Sequence, residues 1–186
     1  DVTRVVTPGT ITDNSLLNET KNNFLCAICF ASREICVAFA DISTGEMSVT
    51  QLTDEDGKEA LLNELAAYQP SEIIINIPEN DAKSTVEFAK LRFGSMIETD
   101  MKRLFDYDKA REAVKRVFPT EYDKLATPEM IMSIGALLGY IRQTQMSDVT
   151  FVRDINVYSK GKYLDLDVNT RRNLELVESM RNKEKR

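Results

Sequence analysis

The chain has 186 residues, of which 42% are hydrophobic and 29% are charged, and its 24 basic and 30 acidic side chains give a formal charge of −6. This composition is typical of an ordinary soluble globular protein, and no apolar run approaches the roughly 20 residues that span a bilayer. The acidic balance argues against a main nucleic-acid-binding surface, because phosphate contacts require clustered Lys and Arg. The chain contains no histidine, which removes the commonest general base and metal ligand.

The amino-terminal third of the chain predicts β-structure. Residues 2–6 form a short β-type run before the turn Thr7-Pro8-Gly9-Thr10. Longer β-type runs follow at residues 23–30, 35–41 and 46–52, separated by short polar turns. Because such short turns join only antiparallel neighbours, these three runs predict a three-stranded meander.

The middle of the chain alternates helical patterns with short apolar runs. Thr53, with Asp56 three residues later, predicts a helix that Pro70 ends, and Ile73 to Ile75 predict a strand buried on both faces. The remaining predictions are a helix capped by Asn80 or Asp81 and closed by Gly94, a weak strand at 95–99, a helix over 101–118, and a largely buried helix from Thr127-Pro128 through Thr144. The spacing of Gly135 and Gly139 in the last helix predicts close backbone approach to a neighbouring element.

The order β-β-β-α-β-α-β-α predicts an α/β fold with a mixed sheet and helices on its faces, because helix crossovers join parallel strands. This is the element order of the ribonuclease H-like fold. The pattern changes after Ser147, which predicts a domain boundary near residue 146. Beyond it, residues 149–157 and 162–166 predict a β ribbon that leads into a terminal helix.

The acidic side chains do not predict a nuclease centre. Ribonuclease H-like nucleases gather acids around divalent metals, beginning with an Asp in the first strand, and residues 24–30 contain no acid. We predict that Asp41 stabilises its turn, that Glu72 only opens its strand, which finishes at Asn76, and that Glu59 and Glu64 are helix-surface acids. A ribonuclease H-like metal-dependent nuclease or resolvase domain is the alternative interpretation, and a free-standing adaptor domain is a third.

Other kinds of site also lack a sequence basis. Cys26 and Cys29 lie three apart on a predicted strand, so they should face opposite sides of the sheet and, with Cys36, remain reduced and buried. No GxxxxGK[ST] or GxGxxG motif is present to cradle a phosphate. The sequence therefore predicts no catalytic, cofactor-binding or metal-binding residue.

Three segments carry a resemblance to a known family. Arg4-Val5-Val6-Thr7-Pro8-Gly9-Thr10 resembles the segment that leaves the mismatch-binding domain of bacterial MutS proteins, and Phe39 to Glu46 resembles a connector hairpin of that family. Tyr163-Leu164-Asp165 with Thr170-Arg171-Arg172-Asn173-Leu174-Glu175-Leu176 resembles the opening of its core domain. The matches fall in the family's order along the chain. The last is the most specific.

The resemblance implies a linker at 1–16, a ribonuclease H-like connector domain without nuclease activity at 17–146, and the truncated start of the core domain at 147–186. The connector would couple mismatch binding to the ATPase and dock MutL, with compliant junctions near Pro8-Gly9 and Ser147-Asp148. The parent would be a cytoplasmic DNA mismatch repair protein that dimerises, binds mismatched duplex DNA and uses ATP and Mg. Its mismatch-reading wedge and ATPase would both lie outside this chain.

The carboxyl-terminal segment is basic and is predicted to be helical. Its cationic side chains are Arg171, Arg172, Arg181, Lys183, Lys185 and Arg186. We predict a solvated helix face here, not a DNA-reading one. Leu174, Val177 and Met180 would form an apolar face for partners in a larger protein, so the segment after about residue 168 should be mobile or contact another chain.

Overall fold

A computed structural model of the chain describes residues 24–53, 57–145 and 154–159. The strands are β1 (Phe24–Phe30), β2 (Glu34–Asp41), β3 (Glu46–Thr53), β4 (Glu72–Ile75), β5 (Met96–Glu98) and β6 (Asp154–Val157). The helices are α1 (Gly57–Tyr68), α2 (Lys83–Phe93), α3 (Tyr107–Val117) and α4 (Pro128–Gln145). None of these helices combines the length and the apolarity needed to cross a bilayer.

The six described strands form one mixed sheet in the order β5-β4-β1-β2-β3-β6. β1, β2 and β3 pair as the predicted antiparallel meander, with Cys29 opposite Cys36 and Ala38 opposite Val49. β4 pairs parallel to β1, and β5 pairs parallel to β4. The prediction of a mixed α/β sheet, with a meander followed by parallel strands reached through helices, is confirmed.

Two apolar layers enclose the sheet because alternate strand residues point to opposite faces. On one face, Leu25 and Ala27 of β1 pack in a cluster with α3 and α4, which includes Ile134 and Leu137. On the other face, Cys26 and Ile28 join a cluster built with α1 and α2. All four residues of β4 are buried, which for Ile73 to Ile75 confirms the prediction from the continuous apolar run.

The close backbone approach predicted from Gly135 and Gly139 occurs at Gly135, where α4 contacts α3. A Cβ added at Gly135 would lie 2.6 Å from the Cα of Ala110 in α3 and even closer to the Cβ of Ala110, so only glycine fits there without a shift. At Gly139 the nearest atom would be the Cδ2 of Leu104, 3.2 Å away. α4 begins as predicted, since the hydroxyl of Thr127 accepts a hydrogen bond from the backbone N–H of Met130.

Two helix starts differ from the predictions. Asn80 and Asp81 lie in a 3-10 turn, Glu79–Ala82, and α2 then begins without a side-chain cap at Ala82. The prediction that Asn80 or Asp81 caps the helix is therefore wrong, because the tighter turn places them three and two positions before Lys83, the first residue of α2. The end at Gly94 is confirmed, since its φ of 63° is left-handed and its N–H bonds carbonyls of the last turn.

The helix predicted over 101–118 is shorter than expected. Its first residues form turns, and α3 starts only after Asp106, whose carboxylate accepts a hydrogen bond from the backbone N–H of Lys109. Asp106 marks this helix start in the sequence, because an aspartate at the N-cap accepts a hydrogen bond from a free backbone N–H and its negative charge interacts favourably with the helix dipole. The end before Pro119 agrees with the prediction.

A strand from beyond residue 146 joins the same sheet. β6 pairs parallel to β3, with Met47 opposite Ile155 and Val49 opposite Val157. The described part of the run 149–157 is thus paired with β3. Its predicted ribbon partner at 162–166 lies outside the described residues, as do the predictions for residues 1–16, for Asp56 and for the terminal helix.

Candidate functional site

Asp41 occupies the turn between β2 and β3. Its carboxylate accepts hydrogen bonds from the backbone N–H of Ser43 at 2.9 Å and from the hydroxyl of Ser43 at 2.6 Å. These bonds stabilise the turn into β3, which continues through Gly45 at a φ of 79°. The predicted turn role of Asp41 is confirmed.

Glu72 is buried, with 1% of its surface exposed. Its carboxylate accepts a hydrogen bond of 2.6 Å from the hydroxyl of Tyr140 in α4. Burial, followed by the neighbouring Glu72, raises the pKa of the Tyr140 phenol, so the hydroxyl keeps its proton and remains a donor. Glu72 therefore joins α4 to β4, a structural role that its position at the strand start did not predict.

Glu64 also has a structural partner. Its carboxylate accepts a hydrogen bond of 2.7 Å from the hydroxyl of Tyr158, the residue that follows β6. The prediction that Glu64 is an ordinary surface acid is wrong because the side chain is half-buried and bonded, whereas Glu59 is exposed as predicted. Glu64 connects α1 to the end of the last described strand.

The acids do not converge on one point. Asp41, Glu64 and Glu72 lie at the β2–β3 turn, on α1 and at the start of β4. In residues 24–53, 57–145 and 154–159, no group of three histidine, cysteine, aspartate or glutamate side chains is arranged to hold a metal ion. Nothing in the described geometry supports the nuclease alternative.

Asn76 closes the carboxyl end of β1. Its side-chain oxygen accepts a hydrogen bond of 2.8 Å from the backbone N–H of Phe30, and its side-chain nitrogen donates one of 3.0 Å to the carbonyl of Phe30. The amide thereby extends the pairing of β4 with β1 beyond the strand itself. An ionised carboxylate at this position would have no donor to offer the carbonyl of Phe30.

The three cysteines are free and buried, as predicted. Cys26 lies in the layer beneath α1 and α2, whereas Cys29 lies in the layer beneath α4, so the two thiols face opposite sides of the sheet. Burial raises the pKa of Cys29 and of Cys36 to about 12. These thiols are poor nucleophiles because the reactive thiolate form is suppressed.

The raised thiol pKa values predict alkaline destabilisation. An unfolded cysteine loses its proton near its ordinary pKa of 9.0, whereas folded Cys29 and Cys36 stay neutral up to about pH 12. The stabilisation is therefore complete below pH 9 and is lost as the pH rises, by about 1.4 kcal/mol per pH unit for each thiol. Urea unfolding of the chain between pH 7 and 11 measures this slope.

The control for this prediction is the Cys29→Ala chain, which removes one thiol from a buried position. We expect its free energy of unfolding to fall less steeply above pH 9 than that of the parent chain, because one titrating group is missing. An unchanged slope would contradict the assignment of the effect to the thiols.

Four aromatic side chains meet on the α1 face of the sheet, and we call Phe24, Phe39, Tyr68 and Tyr158 the aromatic clasp. The Tyr68 ring stacks on Phe39 with centroids 3.8 Å apart and meets Phe24 edge-on at 5.0 Å. The Tyr158 ring lies 6.5 Å from that of Tyr68. Tyr68, the last residue of α1, thus contacts both Phe24 at the start of β1 and Tyr158 just after β6.

The sequence did not predict the roles of Asn76, Tyr140 and Tyr158. A signal was present for Tyr140, because a tyrosine within a largely apolar helix needs a buried acceptor. Glu72, the first residue of a fully buried strand, needs a donor in the same way. No local signal pairs Glu64 with Tyr158, since 94 positions separate them along the chain.

Comparison with known proteins gives the chain its family. The family model described as MutS domain II matches residues 23–153. The chain is 35% identical over 187 residues to the DNA mismatch repair protein MutS of Ruminiclostridium cellulolyticum, covering 100% of this chain and 21% of that protein. The MutS protein of Acetivibrio thermocellus is 36% identical over 190 residues, covering 100% of this chain and 22% of that protein.

The same name recurs in Clostridium novyi, whose DNA mismatch repair protein MutS is 34% identical over 186 residues, 100% of this chain and 20% of that protein. The chain thus spans about a fifth of the length of the curated relatives it matches. The chain belongs to the MutS domain II family.

Proposed function

We propose that this member of the MutS domain II family is a non-catalytic connector module of a DNA mismatch repair protein, which couples mismatch binding to ATP hydrolysis and docks MutL. The proposal depends on one observation, that acidic side chains considered for a nuclease centre make structural hydrogen bonds. Asp41, Glu64 and Glu72 each hold a structural hydrogen bond at a different place in the fold. Such a domain is suited to transmitting position instead of performing chemistry.

The strand order supports assigning the domain to the ribonuclease H-like fold. In that fold an antiparallel meander is extended on the first strand's side by parallel strands, which is the arrangement β5-β4-β1-β2-β3 here. Asn76, directly after β4, lies where a catalytic acid would be expected. Its side-chain amide is hydrogen-bonded to the backbone N–H and carbonyl of Phe30. The domain would then share the strand topology of such nucleases, while its described residues contain no group of acids arranged to hold a metal ion.

The pairing of the strands supports a proposal for the domain limits. We place the linker at 1–16 and the connector from residue 17, as the sequence suggests. β6 supports an exit after Ser159 instead of near 146, because Asp154–Val157 pair with β3 throughout. The remaining residues would then begin the core domain, with the compliant junction after the last strand.

The properties of the whole protein belong to the same proposal. It would bind mismatched duplex DNA, dimerise, and use ATP and Mg at a site outside this chain, whose sequence carries no glycine-rich phosphate motif. We place it in the cytoplasm. The support for these statements is the family and the naming of its relatives as DNA mismatch repair proteins.

A retention experiment tests the docking part of the proposal. The chain is immobilised and exposed to MutL with and without a non-hydrolysable ATP analogue. We expect MutL to be retained without nucleotide, because docking would belong to the connector surface itself. Absence of retention under both conditions would contradict the proposal.

The matched control is the Gly135→Leu chain. A leucine side chain has no space against Ala110, so this chain should lose its α3–α4 packing and expose apolar surface. Retention of MutL by the folded chain alone supports docking. Equal retention by the control would mean that retention does not require the folded surface, and it would count against docking.

A further inference from the structure

Tyr68 is the last residue of α1, and its ring lies between Phe24 at the start of β1 and Tyr158 just after β6. Phe24, the first residue of β1, meets the ring edge-on with centroids 5.0 Å apart. Phe39 of β2 stacks against it at 3.8 Å and fixes its plane, since the two rings are within 7° of parallel. Offset and edge-on aromatic contacts of this kind add specific geometry to apolar burial.

Tyr158 brings the end of β6 to the same place. Its backbone N–H bonds the carbonyl of Val49 at 3.1 Å, and its hydroxyl bonds Glu64 at 2.7 Å, one turn before Tyr68 on α1. Burial, with Tyr68 and Glu64 nearby, raises the pKa of the phenol, so the hydroxyl remains a donor. Tyr158 is thus held by both the sheet and α1.

The entry to β1 is held by the segment that follows α1. The carbonyl of Phe24 accepts hydrogen bonds from the backbone N–H of Ser71 at 3.0 Å and from the Ser71 hydroxyl at 3.3 Å. Tyr68 therefore contacts the ring of Phe24, and Ser71, only three residues on, holds its backbone. A displacement of the end of α1 acts on the start of β1 through both contacts.

We propose that Tyr68 is a positioning residue that links the segment entering the sheet at Phe24 to the segment leaving it at Tyr158, so that a displacement of either end moves the other. This inference rests on the proposed coupling function and gives it a location. The two ends are also connected through the ladder β1-β2-β3-β6. The clasp is the shorter route, because one side chain contacts both ends.

Amide hydrogen exchange in the chain separates the two routes. The amide of Tyr158 reports the exit and the amide of Ser71 reports the entry. Tyr158→Phe removes the bond to Glu64, and losing a bond to a charged group should speed exchange at residue 158 about tenfold. If the aromatic clasp links the two segments, the exchange rate of the Ser71 amide should also rise, by about threefold. The rise is smaller than at residue 158 because only part of the local opening reaches Ser71.

The same substitution is then repeated in a Tyr68→Leu chain. The exchange rate at Ser71 should no longer respond to Tyr158→Phe, while the amide of residue 158 still responds. Protection of the amide of buried Ile134 in α4 confirms that the chain remains folded. Tyr107→Phe, at a half-exposed tyrosine of α3, is the control and should alter neither reporter. A persistent response at Ser71 in the Tyr68→Leu chain would overturn the inference.

A second measurement distinguishes failure of the inference from failure of the proposed function. In the whole protein, Tyr68→Leu should reduce the change in mismatch affinity caused by ATP about threefold or more, while Tyr107→Phe leaves it intact. An unreduced change would overturn the inference and leave the proposed function standing. A wild-type protein whose mismatch affinity does not respond to ATP would instead overturn the coupling function itself.

Discussion

Replacing Gly135 by alanine should lower the free energy of unfolding by about 2 kcal/mol or more, although alanine is the better helix former by about 1 kcal/mol. The added Cβ would lie 2.6 Å from the Cα of Ala110, and neither backbone can yield without moving a helix. α3 would have to move away from α4, which also packs on β1 and β2. Urea unfolding of the two chains measures the difference.

Gly139→Ala is the matched control within the same helix. Its new Cβ would meet the Cδ2 of Leu104 at 3.2 Å, the end of a flexible side chain that can turn aside. We expect a change below about 1 kcal/mol, since the gain in helix propensity offsets the small adjustment. Equal losses for the two substitutions would contradict the close approach of α3 to Gly135.

Replacing Asn76 by aspartate should lower the free energy of unfolding by about 2–4 kcal/mol at pH 7. The side-chain nitrogen that donates to the carbonyl of Phe30 would become an oxygen, and two acceptors would face each other. The carboxyl pKa of the substituted residue should rise, because protonation restores a donor. The loss should therefore shrink as the pH falls through that raised pKa, which unfolding at pH 4 and pH 7 tests.

Asn80→Asp is the control for this prediction, since Asn80 is exposed in the 3-10 turn before α2. We expect a change of about 0.5 kcal/mol or less at either pH, as for most surface substitutions. If Asn76→Asp costs the same at pH 4 as at pH 7, the proposed contact between carboxylate and carbonyl is wrong.

The strands and helices that sequence reasoning found are those with strong local patterns. The meander follows from three β-rich runs and their short turns, and β4 follows from Ile73 to Ile75. Thr127 and Gly94 mark their helix ends because capping depends only on neighbouring residues. Local chemistry was enough for these elements.

Contacts between residues far apart along the chain could not be predicted from such local patterns. The pairing of β6 with β3 brings Asp154 opposite Glu46, and no local pattern specifies a partner so far along the chain. The burial of Glu72 depends on Tyr140, 68 positions away. The aromatic clasp likewise joins Phe24 to Tyr158 through Tyr68. The coupling proposed for this domain rests on such contacts, which is why sequence reasoning suggested the function without its location.

A flexible insertion at the exit tests the central proposal, coupling through a rigid domain, in the whole protein. A short Gly-Ser segment is placed between Ser159 and Lys160, and mismatch affinity is measured with and without ATP. The same segment in the exposed turn at Ser32-Arg33 is the control, because it leaves the junction intact. We expect the ratio of the two dissociation constants to approach one only for the exit insertion. A ratio unchanged from that of the parent protein would contradict coupling through this domain.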